Sequence, residues 1–345
     1  MTNDLVLITG GNGHIGFRAL VYALQAGYQV RAAVRSQQKA DLISSAPSMK
    51  ALSPGSNLTF VIVPDLLKPG AYDEAVKDVK YIIHIASPIT NNIPADKYET
   101  DLIQPALRGT LSILKAAEKS PTVKRVVITA SIVSIMTWNE LFVEETGKIF
   151  NEQSRTPDPK GPYSSEFEAY SASKVFAFNA TSKYLDEHKP AFDVVHLHPA
   201  FVIGKDELVT DVDDVTRGTN GAMLRQVLGV KQDWTTPGTT IHVEDTALAH
   251  VKALEPHIPS GQSLITSSGG VDGTTWGDAI EIVRKHFPKA VESGVLPNNG
   301  AAPTKKLLLD TSVTQKLLGM EFKSYEDQVV SVVKHYLELR GVEAA

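Results

Sequence analysis

Tyr170-Ser171-Ala172-Ser173-Lys174 sets a phenol and an ammonium four residues apart. On a helix that spacing puts both groups on one face, one turn from each other. A tyrosine in water titrates near pH ~10, and a neighbouring cation favours its phenolate. Such a phenol can exchange a proton with a carbonyl or alcohol oxygen near neutral pH. Of the ten tyrosines, only Tyr170 has a lysine four residues on. The plain alternative is a half-exposed helix tyrosine beside a solvated lysine. Upstream, Val126-Val127-Ile128-Thr129-Ala130-Ser131 reads as a buried strand ending in a hydroxyl residue, and Ser131 could donate a hydrogen bond to a substrate oxygen. Ser134 competes for that role, and either serine could equally start a turn.

Thr9-Gly10-Gly11-Asn12-Gly13-His14-Ile15-Gly16 follows the apolar run Leu5–Ile8 and precedes an amphipathic segment. Gly11, Gly13 and Gly16 satisfy one dinucleotide-binding spacing; Gly10, Gly13 and Gly16 satisfy another. Between a strand and a helix, such glycines allow a tight turn, let backbone N–H groups approach a pyrophosphate, and aim the helix N-terminus at it. An NAD site usually ends its second strand with an acid for the ribose hydroxyls. Here residues 30–40 contain no acid, and Val34 is followed by Arg35 and then Lys39. Two cations there suit the 2′-phosphate of NADP, so NADPH is the expected cofactor. A solvated basic loop is the alternative.

Elements must bring these groups together. Strand-like runs at Leu5–Thr9, Gln29–Val34, Leu58–Val63, Tyr81–Ile85, Val126–Thr129 and Val194–His198 alternate with helix-like segments at Ile15–Ala26, Ala71–Val76, Asp101–Lys119 and Tyr170–His188. That alternation predicts an α/β fold: a Rossmann-type, doubly wound parallel sheet covered on both faces, with ligands at the strand carboxyl ends. The pattern loosens after Gly204. Helices are expected near Met223–Leu228, Thr275–His286, Asp310–Leu318 and Ser324–Leu339, and a last strand at Leu264–Thr266. The expected division is a cofactor domain of residues 1–204 plus about 239–268, and a smaller, mostly helical substrate lobe of 205–238 plus about 269–345. Trp138–Pro162, rich in charge and proline, reads as a surface insertion.

The chain has 345 residues, 42% hydrophobic and 21% charged, ample for a sizeable core. A net charge of -5 gives no reason to expect nucleic acid or an anionic membrane as partner. There are no cysteines, hence no thiolate metal site or cysteine nucleophile. With no signal peptide or spanning segment visible, a soluble cytoplasmic protein is expected. His196 and His198 share a strand face, and His242, Glu244 and His250 lie close in sequence. Neither set has a convincing third ligand, so no metal is expected. His84, at a strand end, reads as structural or groove-lining.

Taken together, Thr9-Gly-x-x-Gly-x-x-Gly16, Ser131 and Tyr170-x-x-x-Lys174 resemble the extended short-chain dehydrogenase/reductase family. Val30–Arg35, Ile83–Pro88, Val123–Thr129, His198–Gly204 and Ile241–Asp245 extend the likeness over nearly the whole chain. The flavour is that of its carbonyl- and aldehyde-reductase branch, similar to yeast methylglyoxal or ketone reductases and plant dihydroflavonol reductases. The resemblance implies that Tyr170 protonates a carbonyl oxygen as hydride arrives. Lys174 would lower the tyrosine pKa and hold the nicotinamide ribose, and Ser131 would orient the carbonyl. It further implies cofactor contacts from Thr9, Gly10, Gly13, His14, Ile15 and Gly16, from Asp65 and Leu66 at the adenine, from Ala86, Ser87, Pro88 and Thr129 in the groove, and from Pro199 at the nicotinamide. Ile89, Ile132, Val133, Phe201, Met223, Leu224 and Trp234 are candidates for a substrate pocket, each of which could equally be core. Their apolar character points to a hydrophobic or aromatic carbonyl. Related dehydratases carry an Asp-Glu pair after the position of Ser131, where Ile132-Val133 stand here; epimerases retain NAD; a dinucleotide sensor would lack the Tyr-Lys pair. The expected partner is a small-molecule carbonyl substrate, and the chain a monomer or homodimer.

Overall fold

The computed structural model describes residues 3–90, 92–143 and 147–343. A seven-stranded sheet carries the site. Its strands are β1 (Leu5–Thr9), β2 (Gln29–Val34), β3 (Leu58–Ile62), β4 (Tyr81–His84), β5 (Arg125–Thr129), β6 (Asp193–Pro199) and β7 (Ser263–Thr266), in the order β7-β6-β5-β4-β1-β2-β3. β1 pairs in parallel with β2 and β4, β2 with β3, β4 with β5, and β5 with β6. The order reverses at β1, between β2 and β4, which makes this the topological switch point where α/β sheets take their ligands. Each expected strand is found within one residue of its predicted ends.

The chain divides into two compact units. The first comprises 1–138, 152–198 and 247–264. Leu7, Ile82 and Val126 of the sheet pack with Ile113 and Leu114 of helix α2 (Gln104–Glu118) in one buried cluster. Helix α1 (His14–Gln25) follows the glycine turn, and helix α3 (Glu166–His188) carries Tyr170 and Lys174. Ser165 caps α3 by accepting the Glu168 N–H at 3.1 Å, which fixes where the helix starts and hence which face Tyr170 and Lys174 occupy.

Two helix expectations need correction. Residues 71–76 are not a helix but a run of turns, with Ala71 N–H bonded to Lys68 O at 3.0 Å and Asp73 N–H to Gly70 O at 3.0 Å. Gly70 and Asp78 bound this stretch with φ of 74° and 63°, so no helix can extend through either end. The Asp101–Lys119 segment is composite: a π-helical turn, Tyr98–Ile103, leads into α2. The short helices Gln37–Ser45 and Pro47–Leu52 have no counterpart in the periodicity reading.

The second unit comprises 139–151, 199–246 and 265–345. Its core packs Met223, Leu224, Val283, Val329 and Val333 around Trp276, whose indole N–H donates to Pro237 O at 2.9 Å. Alongside its helices it holds three two-stranded parallel ladders: Phe201–Ile203 with Thr240–His242, Thr236–Gly238 with Thr304–Lys306, and Ile149–Phe150 with Leu308–Leu309. These ladders explain how the division differs from the expected one. Residues 201–203 pair with 240–242, and the whole stretch 199–246 falls in the second unit. The expected surface insertion at 138–162 is split, because Ile149–Phe150 pairs with the chain near 308 and buries Phe150.

Candidate active site

At the end of β1 the chain turns through Gly10 at φ 75°, where a Cβ would stand 2.8 Å from Ala86 N. A Cβ on Gly16 would fall 2.0 Å from Gly10 O, while one on Gly11 would meet only ordinary contacts, the nearest at 3.4 Å. Of the two overlapping spacings, the geometry therefore uses Gly10, Gly13 and Gly16. Gly13 N–H bonds Gly10 O at 3.0 Å, and α1 starts at His14 with Gly13 as its N-cap and no side chain closing the helix end. The half-buried His14 and Ile15 form the first turn, where the positive end of the helix dipole suits an anion. This turn fits a dinucleotide pyrophosphate.

The register puts Thr9 beside His84. The Thr9 hydroxyl lies 2.8 Å from His84 Nδ1 and accepts the Ala86 N–H at 3.2 Å. That bond holds the Ala86–Ser87 segment against the glycine turn. Ser87 Oγ in turn accepts from Lys174 Nζ at 3.0 Å. Lys174 is buried, and desolvation lowers its pKa to about 8. Its ammonium sits 5.6 Å from the centre of the Tyr170 ring.

Tyr170 is half-buried and stacks on Phe167 at 5.9 Å, which itself meets Trp138 edge-on at 5.9 Å. Burial pushes the phenol up to about 12, and a hydrogen bond with the Ser131 hydroxyl pulls it partly back. In the chain by itself desolvation outweighs the Ser131 bond, and the phenol stands above its value in water rather than below it, as the Tyr-Lys spacing implied. The consequence is a phenol that holds its proton across the physiological range, poised as an acid.

Ser131 caps a single 3-10 turn, Ile132–Ser134, by accepting the Val133 N–H at 3.4 Å. Ser134 is fully buried and donates to Ser131 O at 2.5 Å, with His198 Nδ1 2.9 Å from its oxygen. Since the Ser134 proton is already given to the carbonyl, the imidazole must donate through Nδ1, leaving Nε2 to accept from Ser263 Oγ at 3.1 Å. Ser134, the competing candidate, is thus a brace for Ser131. His198 has every polar atom partnered within this brace, and with His196 it packs edge-on against Phe178 at 4.8 Å. Burial lowers both imidazoles, to about 4 and about 3 respectively, so they stay neutral. Among the described residues no group of three His, Asp or Glu side chains could hold a metal ion.

The remaining expected contacts scatter more. Arg35 and Lys39 are exposed just past the end of β2, with no acidic side chain between them. Asp65 is exposed and accepts the Leu67 N–H at 2.8 Å, whereas Leu66 packs on α2, where a Cβ at Gly109 would lie 2.7 Å from it. Thr129 bonds His250 Nε2 at 2.7 Å, Pro88 lies in the irregular segment after β4, and Pro199 is the last residue of β6. Among the pocket candidates, Met223 and Leu224 are fully buried in the second unit's core, where their helical spacing turns them inward to Trp276. Ile132 and Val133 are buried beside Ser131, and Phe201 meets Trp276 edge-on at 5.6 Å. Ile89 and Trp234 are the exposed ones, at 70% and 55%. The Thr9–His84 pair and the His198 brace were not identified as site features from sequence; the only available signal was a hydroxyl and an imidazole at matched ends of adjacent strands.

A profile of the NAD dependent epimerase/dehydratase family matches residues 6–264. The chain belongs to this family, the extended short-chain dehydrogenases/reductases. It is 40% identical over 352 residues to the ketoreductase CTB6 of Cercospora nicotianae, with 99% of each chain covered. It is 38% identical to the NAD-dependent epimerase/dehydratase ALT6 of Alternaria alternata, over 95% of this chain and 96% of that one. Among solved structures it resembles the yeast methylglyoxal/isovaleraldehyde reductase Gre2 complexed with NADPH, with a TM-score of 0.80, 26% identity, and 98% and 99% of the two chains covered. Vestitone reductase from alfalfa, at 22% identity and a TM-score of 0.72, shares the fold. The chain is accordingly an oxidoreductase of the family, with a nicotinamide cofactor. No helix among the described residues is long and apolar enough to cross a membrane.

Proposed function

We propose that the chain reduces a hydrophobic or aromatic ketone or aldehyde to the alcohol, using NADPH. The observation that carries this reading is the set of linked contacts at the ends of β4 and β5. Lys174 reaches Ser87 from α3, and the same helix carries the Tyr170 phenol, whose pKa the Ser131 hydroxyl lowers. Ser131 and Tyr170 would both donate to the carbonyl oxygen, polarising it and fixing its orientation. Tyr170 would then release its proton to that oxygen, and Lys174 would stabilise the phenolate left behind. The cofactor, held by the Gly10–Gly16 turn and by Ala86–Ser87, supplies the hydride. Exposed Arg35 and Lys39, with no acid after β2, support a preference for the 2′-phosphorylated form. A dehydratase would need an acid and a base beside Ser131; the buried, apolar Ile132 and Val133 leave none there.

The test is a panel of ketones and aldehydes mixed with protein and NADPH, followed by absorbance of the reduced nicotinamide. Turnover of at least one apolar carbonyl is expected. Tight NADPH binding without turnover of any member would instead make the chain a sensor.

A further inference from the structure

Behind Lys174 lies a small cavity of about 10 Å³, lined among others by His84, Ser87, Thr129, Lys174 and His196. That is about the size at which a single water fits, provided polar partners line the space. His84 Nε2 is buried there without a hydrogen-bond partner among the described residues. Its protonation follows from bond accounting. Thr9 Oγ1 accepts the Ala86 N–H and shares the Ile85 N–H with its own backbone carbonyl, at 3.2, 3.2 and 3.3 Å. Among the described residues, the acceptor left for the Thr9 hydroxyl proton is His84 Nδ1, at 2.8 Å. An Nδ1 that accepts places the single proton of a neutral imidazole on Nε2. Burial and the nearby Lys174 keep the ring neutral, its pKa lowered to about 3. The cavity wall therefore presents the His84 Nε2–H and the Lys174 ammonium as donors, beside the Nε2 of His196, which is likewise buried with no partner among the described residues, and a buried donor without an acceptor is costly.

We infer that His84 is a positioning residue for Lys174, the two donating to one shared acceptor, a water held in this cavity. The assignment rests on the reading of Lys174 as the cation that supports proton transfer. It links the strand end that begins the cofactor turn to that cation: the Thr9 hydroxyl sets the imidazole tautomer, and the imidazole anchors the water that solvates the ammonium. The titratable groups facing His84 are Lys174 from α3, His196 from β6 and Tyr72, whose ring meets the imidazole edge-on at 6.1 Å. Tyr72 is pushed up to about 12 and His196 down to about 3, so neither changes charge near neutral pH.

Two measurements on the full chain without cofactor test this independently of turnover. Nitrogen-15 correlation spectra of the wild type should show His84 as the Nε2–H tautomer, unprotonated down to about pH 5. The ε-carbon of Lys174, followed by NMR, should titrate at lower pH in His84→Leu, because the ammonium loses its anchored acceptor, and return toward the wild-type value in His84→Gln. An Nδ1–H tautomer would overturn the inference. So would a rise of the Lys174 pKa in His84→Leu, the result expected if the Nε2–H faced the ammonium with nothing between them. If His84→Leu fails to fold, the tautomer and the His84→Gln titration still decide. With a reducible carbonyl in hand, kcat should fall roughly tenfold in His84→Leu with NADPH affinity unchanged, the scale of one lost hydrogen bond to a charged group. Absence of any carbonyl turnover by the wild type would count against the functional reading alone, and the two NMR results would stand.

Discussion

Replacing Lys174 by Met should stabilise the protein while removing its activity. The ammonium is buried, and the fall in its pKa from 10.5 to about 8 corresponds to about 3 kcal/mol of unfavourable burial. Methionine fills similar space without a charge. The substitution also leaves the Ser87 hydroxyl without its 3.0 Å donor, which returns about 1 kcal/mol. The net expectation is a gain of about 2 kcal/mol at pH 6.5, within the range seen when buried charges are replaced by apolar groups. The pH dependence has a definite sign. The folded chain releases the lysine proton near pH 8 and the unfolded chain near 10.5. The penalty is therefore fully present below pH 8 and disappears as pH rises from 8 to 10.5. Urea unfolding of both proteins without cofactor, at pH 6.5 and again near pH 10, measures the difference. A Lys174→Met protein less stable than wild type at pH 6.5, or a gap that does not shrink with pH, would refute the reasoning.

Two further outcomes follow from the same geometry. Arg35→Ala combined with Lys39→Ala should weaken NADPH binding by tenfold or more, the loss of two charge-assisted contacts, and leave NADH nearly unchanged; calorimetry reads both, and equal losses would remove the argument for NADPH. Arg125 is buried and donates to Ala253 O at 3.1 Å and Ile258 O at 2.7 Å, while pairing with Asp193 at 2.9 Å. Arg125→Leu should cost about 3 to 5 kcal/mol in urea unfolding, because buried carbonyls lose their donor; a loss under about 1 kcal/mol would mean that solvent replaces those bonds.

The sheet was legible in the sequence because strands covered on both faces are continuous apolar runs, and Leu5–Thr9 or Gln29–Val34 can be read to the residue. The turn at 70–79 was not, because Tyr72, Ala75 and Val76 repeat at helical spacing while positive φ at Gly70 and Asp78 confines any helix to the few residues between them, too few to hold one by itself. Ser131, Tyr170 and Lys174 could be singled out as candidates because residue type and local spacing carry their chemistry. What escaped depends on pairing between distant segments. The His84 tautomer comes from the register of β1 against β4, and the division near residue 200 comes from a ladder joining 201–203 to 240–242. Met223 and Leu224 show the converse: an apolar helix face says that something is covered, and only packing says by what.

In the proposed reaction the Tyr170 phenol delivers the proton that completes carbonyl reduction. Tyr170→Phe removes one oxygen and keeps the ring stacked on Phe167 at 5.9 Å. With NADPH and a carbonyl that the wild type reduces, the variant should lose at least about a hundredfold in kcat, the scale of general acid catalysis, while binding NADPH as the wild type does. A Tyr170→Phe protein that turns over at the wild-type rate would show that another group supplies the proton.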